Sequence, residues 1–179
     1  MERRALYLYL SCELRLTRAE VRKLPGDICA PEDLLNLPDS FLDTLPPGLQ
    51  HKLEQLPDTA AQLSAALREI EEALYIRRIR FLTAEDTDWP ERFSTLEDPP
   101  LWLYLRGELP AEYTPTVAMI GSRNASSYGL RMADFIAAEL AAKGVSIVSG
   151  LAAGIDSRAE EAAIEAGGKS FAVLGCGVN

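Results

Sequence analysis

The chain has 179 residues, 47% hydrophobic and 25% charged, with a net charge of −9. That suffices for one medium domain, or a small one beside a medium one, with a core to bury. No apolar run approaches the roughly 18 residues that span a bilayer, and Ala5–Leu10 is too short for a signal segment, so a cytoplasmic protein is expected.

Residue inventory removes several chemistries. Cys12, Cys29 and Cys176 are far apart and lack C-x-x-C spacing, so neither a disulfide framework nor a zinc site fits, and buried free thiols are expected. Cys176, between two glycines, is the only thiol placed like a nucleophile, but no histidine lies near it. His51 is the only histidine and sits in a polar helical stretch, L-Q-H-K-L-E-Q, where a solvated surface position is expected. Ser–His, Cys–His and multi-histidine metal sites are thereby excluded, and no metal or cofactor is expected. The charge is acidic throughout: net −3 over residues 1–62, −5 over 63–113 and −1 over 114–179. Bulk basic character is absent, so any nucleic-acid binding must come from a local patch.

Residues 1–57 read as short helices punctuated by proline. Pro25-Gly26 breaks the first block. Pro31-Glu32-Asp33 reads as a helix start, with proline in the first turn and acids at the positive end of the dipole. Pro38 and Pro46-Pro47-Gly48 break the chain again. We expect a helical module over residues 1–60 and an α/β domain over 61–179. Thr59-Ala-Ala-Gln62 has the form of a capping box, and Leu63, Leu67, Ile70 and Leu74 form one buried stripe on the helix it opens. Arg77-Arg78-Ile79-Arg80 is a basic cluster flanking an apolar run, and Leu101–Gly107 is strand-like.

From Thr116 the pattern alternates. Val117–Ile120 reads as a buried strand, Gly121–Gly129 as a loop and Leu130–Lys143 as a helix with Met132, Phe135, Ile136 and Leu140 on its packed side. Gly144 suits the left-handed position after that helix. Val145–Val148 is a second strand, Ser149–Asp156 a second loop, Ser157–Glu165 a second helix and Ser170–Leu174 a third strand. This β-α-β-α-β order predicts a Rossmann-like, doubly wound parallel sheet.

Ligands of such sheets bind at the carboxyl ends of the strands, against helix N-termini. Gly121-Ser122-Arg123 puts a close-approach glycine, a hydroxyl donor and a guanidinium there, all suited to phosphate. Ser126 and Ser127 are helix-cap candidates. The second loop lacks the lysine of a P-loop, and neither loop matches G-x-G-x-x-G. Ser149-Gly150 stands where a dinucleotide site would place an acid. Ser157-Arg-Ala-Glu160 has capping-box form, Asp156 reads as a cap or a substrate polariser, and Lys169 borders the third strand.

G-S-R-N-A-S-S-Y-G, then V-S-G-L-A-A-G-I-D, then G-G-K-S-F-A-V-L-G-C-G resemble the DNA-processing protein A (DprA/Smf) family. D-T-D-W-P-E-R-F-S-T-L-E-D-P-P-L-W-L-Y-L-R-G is similar to that family's entry into its core. The resemblance covers residues 76–179 strongly; residues 1–60 match only in kind, as a small helical module similar to a sterile-alpha-motif (SAM) domain. It implies a bacterial protein of natural transformation that binds and protects single-stranded DNA, helps load the RecA recombinase, dimerises and has no enzymatic turnover. The family's DNA-contacting positions map onto Gly121, Ser122, Arg123, Ser149 and Gly150, and less closely onto Lys169. Glu160 stands where the family usually has histidine. The family's core continues beyond the third strand, so a truncated chain lacking part of the DNA groove and the dimer surface is expected. The alternative is a nucleotide-processing enzyme akin to cytokinin-type phosphoribohydrolases, which share a G-S-R-like opening but carry a P-G-G-x-G-T motif absent here.

Overall fold

A computed structural model describes residues 2–178. They form two compact units, residues 2–107 and 108–178. In the first, helices α1 (Glu2–Cys12), α2 (Arg18–Val21), α3 (Asp39–Leu42), α4 (Pro47–Leu53) and α5 (Ala60–Ile76) precede strands β1 (Ile79–Thr83) and β2 (Trp102–Arg106). A 3-10 turn, Pro31–Asn36, opens on the expected proline, and the Asp33 carboxylate accepts N–H bonds from Cys29 and Ala30, 2.8 Å each.

Thr59 and Gln62 cap α5 reciprocally, as their spacing predicts. Leu63 is fully buried with Leu6, Tyr9, Leu10, Leu49 and Leu53 in the helical core. One turn and more further on, Ile70 packs with Leu8 and Phe81 instead. Helices α1 and α5 thus each serve two clusters. For this reason α5 and the hairpin, grouped with the C-terminal half by sequence pattern, pack with the N-terminal helices. The hairpin is antiparallel, from Ile79 opposite Arg106 to Thr83 opposite Trp102. Phe81 and Tyr104 pack ring to ring, 5.1 Å between centroids and tilted by 57°. The Tyr104 hydroxyl meets Ser11 Oγ at 2.5 Å and Cys12 Sγ at 3.0 Å, and burial pushes its pKa up.

The second unit is β3 (Thr116–Ala118), α6 (Ser127–Ala142), β4 (Ser146–Ser149), α7 (Ile155–Glu165) and β5 (Ser170–Ala172). All strands are parallel, in the order β3-β4-β5. Two right-handed crossovers that step in the same direction put both helices on one face. This is the βαβαβ half of a Rossmann-like sheet.

Of the three strands of the parallel sheet, β4 alone is mostly buried: Ile147 is fully covered, whereas Val117 on β3 and Val173 beyond β5 are exposed. The expected stripe of α6 is corrected too. Leu140 packs against the core as expected, but Phe135 and Ile136 are exposed, and the buried face is Ala133, Ala137 and Ala141. Ala137 and Ala141 meet Ala159, Ala162 and Ala163 of α7 over Ile147. Small side chains let the backbones approach closely: a Cβ added at Gly168 would lie 2.6 Å from Ala141 Cβ. Gly144 follows α6 at φ +79°, the left-handed conformation anticipated for it.

The thiols are less buried than expected: Cys29 and Cys176 are exposed and Cys12 half-buried. His51 lies on the surface beside Glu54. Among the described residues, no helix is long and apolar enough to cross a membrane, and no cluster of three or more acidic, thiol or imidazole groups suits a metal.

Candidate nucleic-acid interface

The loops following β3 and β4 meet at the carboxyl edge of the sheet. The first ends at Ser126, whose Oγ accepts the Gly129 N–H at 3.1 Å and caps α6. The second ends at Gly154, which precedes α7 in a conformation (φ +95°, ψ −127°) open only to glycine. A Cβ there would lie 2.2 Å from Ser122 O and 2.7 Å from Arg123 O. The close approach lets the Ile155 N–H donate to Ser122 O at 3.2 Å, joining the loops. Gly121 has a matching reason to lack a side chain, since its Cβ would meet Ile155 at 2.7 Å.

Asp156 is the second joint. Helix α7 begins at Ile155, two residues before the predicted start, so Asp156 lies within its first turn and is buried. Its Oδ1 accepts the Gly121 N–H at 3.0 Å and its Oδ2 the Gly150 N–H at 3.3 Å. The capping box read from Ser157 and Glu160 does not form: Ser157 Oγ donates to Gly154 O at 3.3 Å. Glu160 is 3% exposed, and its Oε1 has no hydrogen-bond partner. Burial, and then the neighbouring Asp156, raise its pKa, opposed by a hydrogen bond from the Leu151 N–H.

The expected phosphate contacts take different parts. The amides of Gly121 and Gly150 are held by Asp156, so these glycines shape the edge rather than offer donors. Ser122 Oγ accepts the Asn124 N–H at 3.2 Å, with its own hydroxyl proton available. Ser149 Oγ donates to Met119 O at 2.6 Å and is buried, which ties β4 to β3. Arg123 is exposed and has no partner among the described residues. Lys169 is not brought to this edge. It precedes β5, where its carbonyl accepts the Ile147 N–H, at the amino end of the sheet. A parallel strand must start at the end opposite its neighbours' carboxyl termini.

Three donors were missed by sequence reasoning. The amides of Ala152, Ala153 and Gly154 lack protein partners among the described residues. They lie where the Arg123 backbone touches Gly154. The G-x-x-x-G spacing of Gly150 and Gly154 was the available signal, but which amides stay free depends on Asp156. Ile120, Tyr128 and Leu151 stand exposed on the two loops and the first turn of α6. Arg158, by contrast, is engaged by Asp134, Glu161 and Glu165.

The comparisons agree with this architecture. A family model described as DNA recombination-mediator protein A matches residues 80–179. Protein Smf of Escherichia coli K12 is 41% identical over 98 residues, 55% of this chain and 26% of that protein. DNA processing protein DprA of Bacillus subtilis 168 is 28% identical over 131 residues, 73% of this chain and 42% of that protein. The crystal structure of DNA processing protein A from Streptococcus pneumoniae superposes with a TM-score of 0.65 at 26% identity, covering 99% of this chain and 59% of that one. The chain therefore spans between about a quarter and two-fifths of these two curated relatives. With more than half of its residues matched by the family model, the chain belongs to the DNA recombination-mediator protein A (DprA/Smf) family.

Proposed function

We propose that the second unit binds single-stranded DNA, without turnover, at the carboxyl edge of β3 and β4. The observation that carries this reading is the set of free donors on the two loops of one edge: the unpartnered amides of Ala152, Ala153 and Gly154, and the exposed, unpartnered Arg123, whose backbone lies against Gly154. Backbone amides at a helix start suit phosphate oxygens, and arginine adds charge-assisted bonds. Ile120, Tyr128 and Leu151 offer apolar surface against which unpaired bases can lie. A duplex keeps its bases stacked inside and gains nothing from that surface. Gly121, Ser149, Gly150 and Asp156 serve this reading as the frame, and Ser122 as a hydroxyl donor.

The relatives are named DNA processing proteins, which supports a place in DNA uptake and recombination. In this reading the protein is cytoplasmic, protects single strands, hands them to a RecA-type recombinase and works as a homodimer, with the first 60 residues as a SAM-like interaction module. The test is fluorescence anisotropy of a labelled poly-dT oligonucleotide, with duplex and mononucleotide competitors. Salt-sensitive binding, poorly competed by duplex and lost in Arg123→Glu, is expected. Unchanged affinity in that variant refutes the grip, and turnover of the mononucleotide refutes the non-catalytic reading.

A further inference from the structure

The first unit carries a basic and aromatic patch that the loops do not account for. Helix α5 ends in Tyr75 and Ile76, which are 83% and 70% exposed. Arg77 caps the helix and Arg78 follows at φ +54°. That left-handed position is the one glycine normally fills after a helix, because a side chain there crowds the following carbonyl. Its amide closes the turn on Tyr75 O at 3.0 Å. Strand pairing then brings a third arginine in: Arg106 at the end of β2 lies opposite Ile79, next to Arg78 in the chain.

All three arginines are exposed and have no partner among the described residues. Several other arginines of this unit are tied down, Arg4 to Glu71 and Asp86, Arg18 and Arg22 to Asp98, Arg80 to Asp88, whereas Arg15 and Arg68 stand exposed and singly, without a side-chain partner among the described residues. The nearest acids in sequence are Glu72 and Glu108, leaving the cluster positive in a unit that is otherwise acidic. A surface arginine in a strained backbone position, beside two exposed apolar side chains, lacks a stabilising role within the fold.

We propose that Tyr75, Arg77, Arg78 and Arg106 form a second contact for single-stranded nucleic acid, the arginines on phosphates and Tyr75 stacked on a base. It rests on the single-strand reading of the loops and extends it to the first unit. Stacking on an exposed ring requires unpaired bases, which selects a single strand over a duplex, and over an acidic protein surface.

The test uses the full chain and labelled poly-dT. Arg77→Glu, Arg78→Glu and Arg106→Glu combined should weaken binding about tenfold or more and flatten the log–log salt dependence by about 2, at about 0.7 per phosphate contact. Tyr75→Ala should weaken binding with the salt slope unchanged, and Tyr75→Phe should retain it. Arg78→Gly separates fold from function: relief of strain should raise the melting temperature while affinity falls. Arg78→Gly with a raised melting temperature and unchanged affinity overturns the proposal. Loss of binding in Arg123→Glu alone, with every patch variant unaffected, overturns it and leaves the loop reading standing. Loss in the patch variants alone supports it and removes the loops. No poly-dT binding by the unaltered chain overturns both.

Discussion

Gly154→Ala tests whether the two loops are held together by contact rather than by composition. The added Cβ would stand 2.2 Å from Ser122 O, inside van der Waals contact by about 1 Å or more. The backbone at φ +95°, ψ −127° adds strain of about 1–3 kcal/mol for any side chain. Relief requires pulling α7 away from the first loop, which breaks the Ile155 to Ser122 hydrogen bond and removes about 1 kcal/mol more. The expected loss is about 2–4 kcal/mol. Gly144→Ala supplies the reference: φ is also positive, +79°, but nothing lies within 4 Å of the new Cβ, so about 1–2 kcal/mol of backbone strain is the whole effect. Native-state hydrogen exchange of the β4 amides, such as Ile147, reports on this unit alone. Exchange in Gly154→Ala should be faster than in Gly144→Ala, and poly-dT affinity should fall only in the former. Equal exchange in the two variants would show that the close approach does not hold the edge together.

Glu160→Gln should stabilise the second unit at neutral pH. The raised pKa means that, as pH climbs above the ordinary value of 4.5, the unfolded chain ionises first and stability is lost until the folded group ionises as well. Below 4.5 the variant and the parent should therefore converge, and a pH-independent difference in chemical denaturation would contradict this. Asp156→Ala leaves the Gly121 and Gly150 amides without their acceptor and should cost about 2–4 kcal/mol, read from faster exchange at both amides. Ala137→Leu overfills the α6–α7 seam and should destabilise by about 1–3 kcal/mol, whereas Phe135→Ser on the exposed face should stay within about 0.5 kcal/mol by thermal denaturation. Phe81→Ala empties a fully buried site in the first unit and should cost about 3–5 kcal/mol by urea denaturation.

Local signals were legible wherever a local bond decides the outcome. The Thr59–Gln62 box, the proline opening the turn at Pro31, the Ser126 cap and Gly144 at its left-handed position all close within four residues. The β-α-β-α-β order followed from apolar runs and periodicity alone. What stayed hidden depends on partners distant in the chain. Periodicity ranks side chains by hydrophobicity and chose Phe135 and Ile136; packing chose Ala133, Ala137 and Ala141, because α7 comes close enough to exclude anything larger. The family resemblance grouped Lys169 with the loops' DNA-contacting positions, but parallel pairing sends the start of β5 to the far end of the sheet. The family resemblance marked Gly121 and Gly150 as DNA-contacting positions; a carboxylate 35 residues after one and six after the other takes both amides. The chain by itself determined which loops follow the parallel strands at their carboxyl ends. Only the tertiary structure decided which atoms in them stay free, since a donor is free or held according to what the fold brings against it.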